Sequence, residues 1–125
     1  MKTAQAYLAE ANDVVTRISA QDAIARHGVD DNIFVDVRDS SDIAKSGTIA
    51  GAHRVPRGFL EFAASADMQF HNPIFQKDAA LHLVCGAGGQ AALAGKTLKD
   101  MGYTNVTNVG GIGDWKDAGG PIEDA

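Results

Sequence analysis

The stretch LHLVCGAGGQAALAGKTLKDMGYTNVTNVGG, residues 81–111, constrains this 125-residue chain more than any other part. Leu81–Cys85 is short and apolar and predicts a buried strand, and the small residues Gly86-Ala87-Gly88-Gly89 follow it at once. From Gln90 to Met101 the apolar residues Ala91, Leu93, Ala94, Leu98 and Met101 recur at helical spacing, and Gly102 closes the run. TNVTNV then predicts another strand, ended by Gly110-Gly111. Upstream, IFVDV at 33–37 has the β-branched character of a strand buried on both faces. Strands alternating with helices define an α/β fold with a mostly parallel sheet. Sites in such sheets form at the carboxyl ends of strands, which here are the loops after Val37, Val55 and Val84-Cys85.

The rest of the chain supplies the flanks. Ala4, Leu8, Ala11, Val15 and Ile18 predict one apolar face on an extra N-terminal helix over 3–18, with Thr3 as its cap. SAQDAIARHG predicts a second helix capped by Ser19. Residues 46–58 read as turn, short strand near Ala52–Val55, and turn; FLEFAAS reads as one or two helical turns, 65–80 as loop, and IGDWKDAGG as a short helix. The expected division is an N-terminal helical extension, 1–18, and a single domain, 19–125.

Composition narrows the function. With 45% hydrophobic residues the chain has a core to bury, and 11 Lys+Arg against 16 Asp+Glu leave a net charge of −5. That acidity argues against a nucleic-acid partner. No apolar run approaches bilayer length, and the N-terminus lacks the apolar region of a signal peptide, so the expected address is cytoplasmic with no membrane partner. A lone cysteine, Cys85, excludes an internal disulfide and a multi-cysteine metal site. The N-terminal helix is amphipathic but not basic. Its apolar face can dock on the domain or form a homodimer contact, and the sequence does not separate the two.

Cys85 stands where chemistry is expected. Small residues let successive backbone N–H groups converge on one point, and the following helix directs partial positive charge at that point. A thiolate, a persulfide or a small oxyanion is stabilised in such a cradle. Free cysteine is often simply buried, but the glycine-rich loop with a helix behind it favours a reactive role. Two other motifs fail on spacing. Gly95-Lys96-Thr97 resembles the end of a P-loop, yet Gln90 stands where that loop needs glycine, and Lys96 lies inside the helical run. Gly86-Ala87-Gly88-Gly89-Gln90-Ala91 matches a dinucleotide fingerprint, yet glycines occupy the end of the next strand, where the companion acid belongs. No cofactor or metal is expected. His53, His71 and His82 lack a partner three or four residues away, and His82 alternates with Leu81 and Leu83 as a packed strand residue does.

Taken in order, several motifs resemble the single-domain rhodaneses, a sulfurtransferase family. They are Asp36-Val37-Arg38, Gly47 to Ala52 leading to Pro56, the strand-end Cys85 with its loop, Met101-Gly102-Tyr103, Gly110-Gly111 with Trp115, and Ala118 to Glu123. The resemblance covers about Ile33 to Glu123. It implies a rhodanese-like three-layer fold, a small, mostly parallel central sheet flanked by helices, and covalent transfer of a sulfane sulfur through a Cys85 persulfide. The donor would be a small anion such as thiosulfate, and the acceptor cyanide, a thiol or a protein. It also implies that Gly86, Ala87, Gly88, Gly89 and Gln90 form the cradle. Arg57 would supply positive charge to the donor, with Arg54 as an equally placed alternative. Asp36 and Arg38 would support the site structurally.

Many members of the family carry an arginine five residues after the cysteine. Gln90 stands there instead. Loss of a charge-assisted bond is worth ~1.5–3 kcal/mol, so weak thiosulfate binding or a less charged donor is expected. The same departure opposes a phosphatase or arsenate reductase, whose loops close on an arginine. The alternative from another class is a catalytically weak binding or sulfur-relay module acting with a protein partner.

Overall fold

The computed structural model describes residues 1–125. The chain runs α1 (Ala4–Val14), β1 (Thr16–Arg17), α2 (Ala20–Arg26), β2 (Asn32–Asp36), α3 (Ser40–Ser46), β3 (Thr48–Ile49) and β4 (His53–Arg54). A 3-10 turn, Arg57–Phe59, leads into α4 (Leu60–Ala64), β5 (Ala80–Cys85), α5 (Gly89–Asp100), β6 (Asn105–Gly111), α6 (Ile112–Asp117) and β7 (Ile122–Glu123). Five strands form a parallel sheet in the order β1-β6-β5-β2-β4, while β3 and β7 pair antiparallel as a separate ribbon. The fold is α/β with a parallel central sheet flanked by helices.

Strand alternation divides the core into two layers. Val35, Leu81, Leu83 and Cys85 face one side, where they pack with Leu60, Leu98 and Tyr103. Phe34, Val84 and Val109 face the other, around the fully buried Trp115. The indole N–H of Trp115 donates to Pro121 O at 2.8 Å, which ties α6 to the segment entering β7.

Local chemistry sets the helix starts. The Thr3 hydroxyl accepts from Ala6 N at 3.1 Å, and the Ser19 hydroxyl accepts from Asp22 N at 3.1 Å. The N-terminal helix is shorter than its apolar spacing predicts. It stops at Val14, Val15 is extended, and Thr16–Arg17 pair with Thr107–Asn108 of β6. The run Val14-Val15-Thr16 is β-branched at each position, which disfavours helix and suits a sheet edge. Ala11 and Val15 are buried, Val15 against Gly95 of α5, while Ile18 packs on the Trp115 side. The helical face therefore does not extend to Ile18. At the other end, Gly110-Gly111 do not merely follow the strand but form its last two residues, pairing with Val84 and Cys85 after a bulge that leaves Val109 extra.

Candidate active site

Cys85 is the last residue of the central strand β5, and its side chain is 1% exposed. Sγ accepts from Gly88 N at 3.0 Å and from Ala91 N at 3.3 Å. Gly88 belongs to the predicted cradle. Ala91, in the first turn of α5, lies one residue beyond it. A helix start leaves its first amides without intrahelical partners, and α5 gives one of them to sulfur. Gly88 has φ +102°, and this left-handed turn brings the chain back over the thiol. Gly86, Ala87 and Gln90 are exposed, and Gly89 is half-buried.

Asn108 holds this loop to the sheet. Its side-chain amide donates to Gly88 O at 2.9 Å, and its Oδ1 accepts from Gly110 N at 2.8 Å. It is buried at 1% exposure. Sequence reasoning passed over it; the available signal was an asparagine deep in a strand, where an unpaired amide is costly.

Asp36 and Arg38 form a closed ionic corner at the end of β2. Arg38 Nη2 donates to Asp36 Oδ2 at 2.7 Å and to Gly47 O at 2.8 Å, and Nη1 donates to Ser46 Oγ at 2.7 Å. Thr48 Oγ1 and Arg38 N complete the shell of Asp36 at 2.8 and 3.0 Å. Both residues are buried and spend their polar groups inside the protein.

Arg57 opens the 3-10 turn after β4, where Nη1 pairs with Glu61 at 3.0 Å and Nη2 donates to Thr97 Oγ1 at 2.9 Å. It lines a cavity of about 530 Å³ together with Gly89, Tyr7, Leu8, Leu93 and Lys96. The structure thus sets Arg57 beside the α5 end of the cysteine loop, with its guanidinium bonded to Glu61 and Thr97 rather than to Cys85. Arg54 points elsewhere, to Glu123 and Asp124 O near the C-terminus.

The histidines are scattered. His82 sits in β5 at 1% exposure; its Nε2 donates to Asn32 Oδ1 at 2.7 Å, and its Nδ1 accepts from Thr107 Oγ1 at 2.6 Å. Burial, aided by the Arg26 charge, lowers its pKa to about 4. His53 is exposed on β4, and His71 bonds Phe75 O. No group of three His, Cys, Asp or Glu is placed to hold a metal ion. No helix is long and apolar enough to cross a membrane.

These features define a parallel α/β domain with a strand-end thiol held by backbone amides. The chain belongs to the rhodanese-like domain family, whose model matches residues 19–118. Among solved structures it resembles a protein of unknown function from Rhodopseudomonas palustris, described as a possible tyrosine phosphatase. That protein is 41% identical, with a TM-score of 0.93 over 98% of this chain and 96% of the other. The polysulfide-sulfur transferase homodimer of Wolinella succinogenes is 25% identical, with a TM-score of 0.74 over 97% and 87% of the two chains. A rhodanese-like domain from Anabaena is 26% identical, with a TM-score of 0.71 over 87% and 79%. No curated protein sequence matches the chain.

Proposed function

We propose that this protein is a sulfurtransferase that carries sulfane sulfur on Cys85. The observation that carries the reading is the Cys85 Sγ at the carboxyl end of β5, receiving backbone N–H groups from Gly88 and Ala91. Family membership and the sulfur-transferring relative from Wolinella succinogenes support it. Residues 19–125 form the domain that holds Cys85 and its loop, with 1–18 as an N-terminal extension.

With thiosulfate as donor, the Cys85 thiolate attacks the outer sulfur. The new Sγ–S bond forms as the donor's S–S bond breaks, and sulfite leaves with the bonding pair. The persulfide anion takes up the amide donors that had held the thiolate. Cyanide, a thiolate or a protein thiolate then attacks the terminal sulfur, and the Cys85 thiolate leaves with the pair. Gly86–Gln90 form the floor of the site in this reading. Arg57 contributes positive potential from the flank, while the Asp36–Arg38 corner holds the neighbouring strand end.

The phosphatase description of the Rhodopseudomonas relative supplies a second reading. Transfer of a phosphoryl group calls for a cation on its oxygens. Between Cys85 and Ala91 this loop holds glycines, Ala87 and Gln90, with no arginine. That composition suits an uncrowded persulfide better than a phosphoryl group.

The test is intact-protein mass spectrometry after incubation with excess thiosulfate, with Cys85→Ser alongside. The expected result is gain of one sulfur atom by the wild type, its loss to cyanide, and neither event in the variant. A free, alkylatable thiol that gains no sulfur from thiosulfate or polysulfide would overturn the reading in favour of a binding or relay module. Cys85-dependent hydrolysis of an aryl phosphate would favour the phosphatase.

A further inference from the structure

Gln90 leaves the cysteine loop without a cation of its own, yet a guanidinium stands against that loop from a distant part of the chain. Arg17, at the end of the edge strand β1, lies beside Asn108 in register. A methyl group built on Gly88 would sit 2.5 Å from Arg17 Nη1, and one built on Gly110, φ +92°, would sit 2.7 Å from Arg17 Nη2. The guanidinium therefore spans the two backbone positions that Asn108 also clamps, by accepting from Gly110 N and donating to Gly88 O. Gly88 is the residue whose N–H holds the Cys85 sulfur.

Arg17 takes part in none of the five ion pairs of the protein. Asp114 and Asp117 share a recess of about 450 Å³ with it, but neither closes to ion-pair distance. Its charge is permanent, and although Arg17 is exposed and shares the recess with these two carboxylates, no ion pair ties it down. Arg17 also lies outside the family match, which begins at residue 19.

We propose that Arg17 is the positioning and charge-selecting residue of the site: the cation missing from the loop is supplied by the N-terminal segment through its packing on Gly88 and Gly110. It acts through Gly88, by fixing the turn that presents the amide to sulfur, and through its field, which favours an anion at Cys85. This rests on the reading of Cys85 as the nucleophile.

The test uses the full chain, whose one thiol is Cys85. Wild type, Arg17→Lys and Arg17→Met are alkylated with iodoacetate, an anion, and iodoacetamide, its neutral counterpart, and followed by intact mass. Arg17→Met is expected to lower the iodoacetate-to-iodoacetamide rate ratio about three- to tenfold, as loss of one nearby charge would. Arg17→Lys is expected to keep the ratio within about twofold of wild type, because the charge remains. Added salt should lower the wild-type ratio toward that of Arg17→Met. A ratio equal in wild type and Arg17→Met, or lowered there without rescue by lysine, would overturn the proposal. A wild-type ratio flat with salt overturns it without any variant, and so does a thiol that neither reagent reaches. Alkylation needs no sulfur donor. Failure to form a persulfide would therefore sink the sulfurtransferase reading and leave this measurement able to decide the role of Arg17.

Discussion

Adjacent strands β2 and β5 run parallel with Asp36 opposite Val84, yet their carboxyl ends are built from opposite materials. The end of β2 is filled with full charges that saturate one another, Asp36 with Arg38, inside a shell of Ser46, Gly47 and Thr48. The end of β5 holds a single sulfur and neutral backbone donors. A corner whose groups are all partnered has nothing left to offer a ligand. A loop of small residues keeps its donors available to whatever charge develops on sulfur. The difference separates a lock from the proposed reaction site, although both stand at the carboxyl ends of adjacent strands.

Variants can break this contrast, and the largest effect should fall on the loop's own chemistry. Cys85→Ser is expected to abolish sulfur gain in the mass assay while leaving a cooperative unfolding transition. The corner should respond the opposite way. Asp36→Ala strands the Arg38 guanidinium in a buried setting and is expected to cost about 3–5 kcal/mol in denaturant unfolding. Gln90→Arg sharpens the contrast by placing a cation in the loop. It should lower KM for thiosulfate about ten- to one-hundredfold, the equivalent of a charge-assisted bond. Asn108→Ala unties Gly88 and Gly110 and is expected to cost about 1–3 kcal/mol, with slower sulfur loading in the same mass assay.

A pH-dependent test asks whether the lower part of β5 is inert. His82 is neutral in the folded protein down to about pH 4, whereas in the unfolded chain it titrates near its ordinary 6.5. The unfolded state then binds the extra proton between these values, so this contribution is fully present above pH 6.5 and is lost as pH falls toward 4. Denaturant titrations of wild type and His82→Gln should show the wild type losing more stability across that window.

Cys85 and its loop were legible because local composition carries them: an apolar run, then residues without bulk, then helical periodicity. Thr3 and Ser19 were legible for the same reason, since a capping hydroxyl acts within three residues. Arg17 was not. A two-residue strand has no period, and the apolar spacing of the preceding helix runs past it to Ile18. Its place comes from pairing with β6, far along the chain. Asn108 and the register of Gly110 were hidden likewise, because the Val109 bulge is a property of two strands together.

The edge strand has a further consequence, in time. Thr16 and Arg17 are synthesised about ninety residues before their partners Thr107 and Asn108. The β3–β7 ribbon likewise waits for Ile122 and Glu123. Pairings of such separation are closed late, because loop entropy must be overcome before the contact repays it. A nascent chain therefore carries Cys85 before Arg17 can be seated against its loop. In the role proposed for Arg17, selectivity for anions should follow the pairing of β1 with β6 rather than precede it.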